Sequence, residues 1–138
     1  MIKNIVRDQM FLSKKLEVVK KSDNYMAIVQ DLQDTLKANE ETCVGMTSNM
    51  IGYNKKIIIV SLGLMPMILI NPKIVQKSGK YETEEGCLSL DGVRKCTRYS
   101  EITVEFFDVN FQKKKQKFSG FIAENIQHQC DHCNGIVI

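Results

Sequence analysis

The two histidines of the chain, His128 and His132, stand four residues apart in "IQHQCDHCNG", residues 126–135. Four residues is slightly more than one helical turn, so on a helix both imidazoles project from one face. Together they can grip one transition-metal ion at about 2.0–2.1 Å. Such a site needs a third protein ligand, and a catalytic one keeps a further position open to water or substrate. Cys87, beside Gly86 in "EEGCLSL", is the candidate third ligand. From the residues alone two readings stay open for each group. The histidines either hold a metal or pack and cap a helix, and Cys87 is either a ligand or a small buried apolar side chain. Gln129 directly follows His128. A carboxamide there can donate and accept hydrogen bonds, but it cannot take up a proton near neutral pH.

Cys130 and Cys133 offer a rival arrangement, a structural zinc module completed by further thiolates. On a helix at about 100° per residue, Cys130 lies roughly 200° from His128 and faces away from it; Cys133, one past His132, also points aside. The same pair has a redox spacing, but redox thiols usually open a helix, where the macrodipole lowers their pKa, and these two sit near a helix end. Five cysteines with no visible secretory signal imply a reducing compartment, the cytoplasm, and thiols or metal ligands rather than disulfides.

The elements that must position these residues follow from periodicity. Apolar positions at Tyr25, Ile28, Val29, Leu32 and Leu36 predict a helix over Ser22–Ala38, with Ser22 or Asp23 as its cap. The small and polar stretch "ETCVGMTSNMIGYNKK" reads as a loop. Lys56–Val60 and Met67–Ile70 read as buried strands, the second closed by Asn71-Pro72. Val75–Cys87 reads as extended chain interrupted near Ser78-Gly79. Alternation at Ile102, Val104 and Phe106 predicts a half-buried strand, and a turn at Asp108–Asn110 leads to a partner strand, Phe111–Phe118. Its lysines read as the charged protection of an edge strand rather than a nucleic-acid patch. The last helix runs from Ser119-Gly120 to a left-handed stop at Asn134-Gly135 and carries both histidines. The 138 residues, 43% hydrophobic and 25% charged with a net charge of +3, suit one soluble domain spanning 1–138. Charge gives no case for nucleic acid, and the apolar runs are broken by Ser61, Gly63 and Pro66, which excludes a membrane-spanning helix. Helix, strands and helix without βαβ alternation point to α+β.

"EGCLS" (Glu85–Ser89), "QHQCDHCNG" (Gln127–Gly135) and the glycine-bearing loop "CVGMTSNMIG" (Cys43–Gly52) come in one order along the chain. Together they resemble the three motifs of the peptide deformylases: a GxGLAAxQ-type loop, EGCLS and HExDH. The resemblance implies an α+β, peptide-deformylase-like fold, with small mixed or antiparallel sheets packed around a central metal-binding helix. It implies one divalent metal on Cys87, His128 and His132, Fe2+ in the cell with Zn2+ or Ni2+ also accepted. It implies as substrate the N-formyl-methionyl end of nascent bacterial proteins, whose formyl group is removed by metal-activated water. The Leu88 N–H would be an oxyanion donor, and Val44, Gly45 and Gly86 would line an extended peptide held by main-chain bonds. Glu85 is expected to pair with Arg98, and Asp131 to orient a ligand or the helix.

Two positions depart from those motifs. Met50 stands where the loop glutamine would donate to the oxyanion, and its thioether cannot donate. Gln129 stands where glutamate would be the general base. Removing a positioned acid/base costs roughly 10²–10⁴ in rate, and one oxyanion donor roughly 10²–10³. Thr47 and Ser48 are the hydroxyls that could stand in. The resulting expectation is an amide hydrolase of strongly reduced activity; the alternatives are a non-catalytic binder of N-terminal methionyl peptides and the zinc module.

Overall fold

A computed structural model of the chain describes residues 1–63, 65–87 and 90–136, with only the backbone of Leu90 and Asp91. Among these residues lie α1 (Gln9–Leu12), α2 (Tyr25–Ala38), β1 (Gly45–Thr47), a 3-10 turn (Ser48–Ile51), β2 (Ile57–Ser61), β3 (Pro66–Cys87), β4 (Leu90–Phe107), β5 (Lys113–Ser119) and α3 (Gly120–Cys133). The strands form one antiparallel sheet in the order β1-β2-β3-β4-β5. That is the α+β class the sequence implies.

The unbroken apolar run Ile57–Val60 is explained by burial on both faces of the sheet. Ile57 and Ile59 pack with Ile28, Val29, Leu32 and Leu36 of α2, whereas Ile58 and Val60 pack with Ala123, Ile126, Cys130 and Cys133 of α3. β3 alternates the same way, with Ile68 and Ile70 in the first core and Leu69 in the second. Each such side chain withdrawn from water contributes about 1.5–3 kcal/mol. β1 continues the pattern: Met46 joins the α2 core, which turns Gly45 and Thr47 toward α3.

Several boundaries differ from the sequence reading. α2 starts at Tyr25 rather than Ser22, because Asp23 closes a turn by accepting the Lys20 N–H at 2.9 Å. The 41–56 stretch is not all loop; it contains β1 and the 3-10 turn. Asn71-Pro72 does not close its strand. Asn71 takes a left-handed φ of 52° at a register shift, and its side-chain amide bonds the Val19 N–H and C=O at 2.8 and 2.9 Å. The strand then continues past it. At Gly79 the expected interruption is a single residue: Gly79 takes a left-handed φ of 75° and is skipped in the pairing, but Ser78 and Lys80 keep one register and the strand continues. β5 begins at Lys113, because Phe111 (φ 58°) leaves the strand path and stacks on Phe107 with ring centroids 4.6 Å apart. β5 is an edge, as expected, with Lys113, Lys114, Lys115 and Lys117 exposed. α3 keeps its expected ends, and Gly135 takes φ 76°, where an added Cβ would overlap the Ser13 backbone. No helix among the described residues is long and apolar enough to cross a membrane.

Candidate active site

α3 is buried on nearly every side, so its polar residues need partners inside the protein. Gln127 accepts the Tyr99 N–H at 2.9 Å and donates to the Tyr99 C=O at 2.8 Å, clamping the helix to β4. The neighbouring His128 and His132 rings lie 5.2 Å apart. Cys87, at the end of β3, approaches them: its Sγ is 3.4 Å from His132 Nε2. The Cys87 thiol and one nitrogen from each imidazole all lie within 4.8 Å of one another. Donors around a four-coordinate ion with bonds of about 2.0–2.3 Å lie roughly 3.3–3.8 Å apart, so one thiolate and two imidazoles in this arrangement fit a zinc- or iron-type ion.

Behind the cluster stands Glu85. Its Oε1 is 2.7 Å from His128 Nδ1, which leaves the other ring nitrogen for the cluster. Arg98 grips the same carboxylate with Nε at 2.8 Å and Nη2 at 2.7 Å, and donates from Nη1 to Asp131 Oδ2 at 2.8 Å. The expected Glu85–Arg98 pair therefore forms, both members buried, and Asp131 extends it from α3. Burial alone would raise the Glu85 pKa, but hydrogen bonds from His128 and Arg98 outweigh it and hold the carboxyl at about 2. Burial likewise opposes charge on His128, yet hydrogen bonds and charges of Cys87 and Glu85 lift it to about 9. Loading a metal onto these donors requires that proton to leave.

A cleft of about 480 Å³ opens beside the cluster, walled by Val44, Gly45, Met50, Gly86, Cys87, His128 and Gln129 among others. Most of the site residues read from the sequence thus meet here, and His132 lies directly behind, fully buried. Leu88 falls outside the described residues. The Val44 carbonyl is already engaged, accepting the Ser61 N–H and the Asn125 amide, each at 2.8 Å. Met50 is buried, and its Sδ accepts the Thr47 N–H at 3.5 Å. Neither candidate hydroxyl is idle. Ser48 donates to the Lys55 carbonyl, and Thr47 contacts the Gln129 backbone and side-chain oxygens, each at 2.9 Å.

Cys130 and Cys133 lie outside the metal-sized cluster and within the α3 core. Burial pushes both thiols up, Cys133 to about 12. Sequence reading missed Asn125, Gln127 and Glu124. Their only signal was an unusual density of polar residues on a helix that had to be central.

The family model for polypeptide deformylase matches residues 2–138. The chain belongs to the peptide deformylase family. It is 51% identical to a peptide deformylase of Clostridium beijerinckii over 138 residues, all of both chains. It is 37% identical to peptide deformylase 1 of Clostridium perfringens over 134 residues, 94% of this chain and 90% of that one. The crystal structure of a peptide deformylase from Ehrlichia chaffeensis superposes with a TM-score of 0.89 at 31% identity, covering 99% of this chain and 86% of that one. A deformylase from a Vibrio parahaemolyticus bacteriophage, in complex with actinonin, gives 0.88 at 27% identity, covering 98% and 99%.

Proposed function

We propose that Cys87, His128 and His132 hold one divalent metal ion, and that the chain removes the formyl group from N-formyl-methionyl peptides far more slowly than a deformylase with glutamate at position 129. The observation that carries this reading is the convergence of one thiol and two imidazoles, from β3 and α3, beside an open cleft that Cys87 and His128 line. Once bound, the ion supplies Lewis acidity, which lowers the pKa of water and polarises a carbonyl. Fe2+ fills this role in the cell, with Zn2+ or Ni2+ as substitutes, and the cytoplasm is where nascent formylated chains are met.

Glu85 and Arg98 fix the orientation of His128. Gly45 and Gly86 keep the cleft walls low enough for an extended peptide end, with Val44 at the rim. The Leu88 N–H serves as the oxyanion donor, and Met50 leaves that duty to it alone. Gln129 can hold a substrate or water by hydrogen bonding but cannot carry its proton. Formate release from formyl-Met-Ala-Ser by anaerobically purified, metal-counted protein tests the reading. Turnover should fall roughly 10²–10⁴ below that of a deformylase with glutamate at this position. Equal turnover would sink the role given to position 129, and protein that takes up no metal would sink the site. A second reading, capture of methionyl peptides without hydrolysis, is favoured by the engagement of both ends of the Gln129 amide. It is distinguished by peptide binding with no formate released.

A further inference from the structure

On the α3 side of β1, a run of hydrogen bonds has only one consistent direction. The Val44 carbonyl can only accept, and an Asn125 amide atom lies 2.8 Å from it. That atom must be nitrogen, so the other arm of Asn125, its oxygen, faces Gln129. The Gln129 atom 3.2 Å from Asn125 Oδ1 must then be Nε2, which turns Gln129 Oε1 to the Thr47 hydroxyl at 2.9 Å. Thr47, Asn125 and Gln129 are at most 6% exposed, so although Asn125 and Gln129 edge the cleft, a mispaired oxygen facing between them is poorly reached by solvent. The strand packs flush against the network. A Cβ on Gly45 would overlap Asn125 Oδ1 and lie 3.0 Å from Gln129 Nε2.

A glutamate of the same shape satisfies only half of this arrangement. One oxygen accepts from Thr47, but the other meets Asn125 Oδ1, acceptor against acceptor in a buried place. Turning Asn125 over repairs that contact and sets its oxygen against the Val44 carbonyl instead. We infer that Asn125 is a positioning residue that specifies an amide at position 129, whereas the Thr47 hydroxyl, shared between the backbone and side-chain oxygens of Gln129, orients that side chain without choosing between amide and carboxylate. Gln129 belongs to a matched set, and Gln129→Glu alone does not return the activity of a deformylase. The structural half of this inference is independent of the proposed hydrolase function; only its activity consequence rests on that reading.

The experiment compares the parent protein with Gln129→Glu, Asn125→Ala and the double variant, each melted metal-free and each metal-loaded for formate release from formyl-Met-Ala-Ser. Asn125→Ser, whose hydroxyl can donate to a carboxylate, replaces the alanine variant if that one does not fold. Gln129→Glu should lower Tm by about 5 °C beside Asn125 and by far less beside Ala or Ser. The double variant should exceed Gln129→Glu in kcat by roughly tenfold or more, with a smaller change in KM. In the parent protein, the side-chain amide protons of Gln129 and Asn125 should exchange slowly with solvent by NMR. Additive melts, fast exchange of either amide, or full kcat from Gln129→Glu alone would each overturn the inference. Non-additive melts with no formate from any variant would support the network and sink the hydrolase reading.

Discussion

Replacing Glu85 by glutamine removes a charge while keeping shape and one acceptor. In the parent, that carboxylate, 8% exposed, takes two bonds from Arg98 and one from His128 at 2.7–2.8 Å. Its pKa falls from 4.5 to about 2 on folding, worth about 3 kcal/mol at 1.36 kcal/mol per pH unit. Breaking a buried ion pair by removing one partner gives a similar figure, about 3–5 kcal/mol. Two features keep the loss near the lower end. Arg98 retains Asp131, and Glu124, whose pKa is raised by burial and by its hydrogen bond with Glu85, is relieved. A depressed carboxylate stabilises the fold above its unfolded pKa, and that contribution fades as pH falls from 4.5 toward 2. Denaturant melts of metal-free Glu85→Gln should therefore show a loss of about 3 kcal/mol at pH 7 that shrinks toward zero near pH 2. In Tm the pH 7 loss is about 10 °C for a chain of this size. A variant within about 0.5 kcal/mol of the parent at pH 7, or a deficit that ignores pH, would refute the reasoning.

Gly45→Ala forces a methyl into the Asn125–Gln129 pair, so Tm should fall by about 5 °C or more; an unchanged melt would show that β1 has room there. His128 has its pKa raised to about 9, so its charged form stabilises the metal-free fold below pH 6.5, a contribution lost as pH rises through 9. Zinc titrated into metal-free protein at pH 7.5 should release at least about one proton per ion, read by calorimetry in buffers of different ionisation enthalpy. Buffer-independent heats would contradict that. Cys130→Ala with Cys133→Ala should leave metal content unchanged, because these thiols belong to the α3 core; metal lost from the double variant would revive the structural zinc reading.

The chemistry was legible in the sequence where it is local. The His128–His132 spacing needs only helical geometry, whereas the Glu85–Arg98 pair was expected from the family resemblance and not from local pattern, since strand register sets Glu85 opposite Arg94 and Tyr81 opposite Arg98. The two core faces were legible in part, because Ile57–Val60 shows burial but not which helix covers each face. The Thr47–Gln129 contact was not legible. It joins residues 82 apart, through a three-residue strand too short to show periodicity. Asn71 defeated the reading of its strand end for a related reason: its side chain replaces ladder bonds through a partner 52 residues away. Asn125 carried no mark of its role beyond being polar on a buried helix.

X-ray absorption at the metal edge of the loaded protein tests the proposed centre most directly. One sulfur at about 2.3 Å and two imidazole nitrogens at about 2.0–2.1 Å are expected around a single ion per chain, with the sulfur shell absent in Cys87→Ala. A shell without sulfur in the parent protein, or a sulfur shell that survives Cys87→Ala, would contradict the assignment of Cys87, His128 and His132 as one metal site.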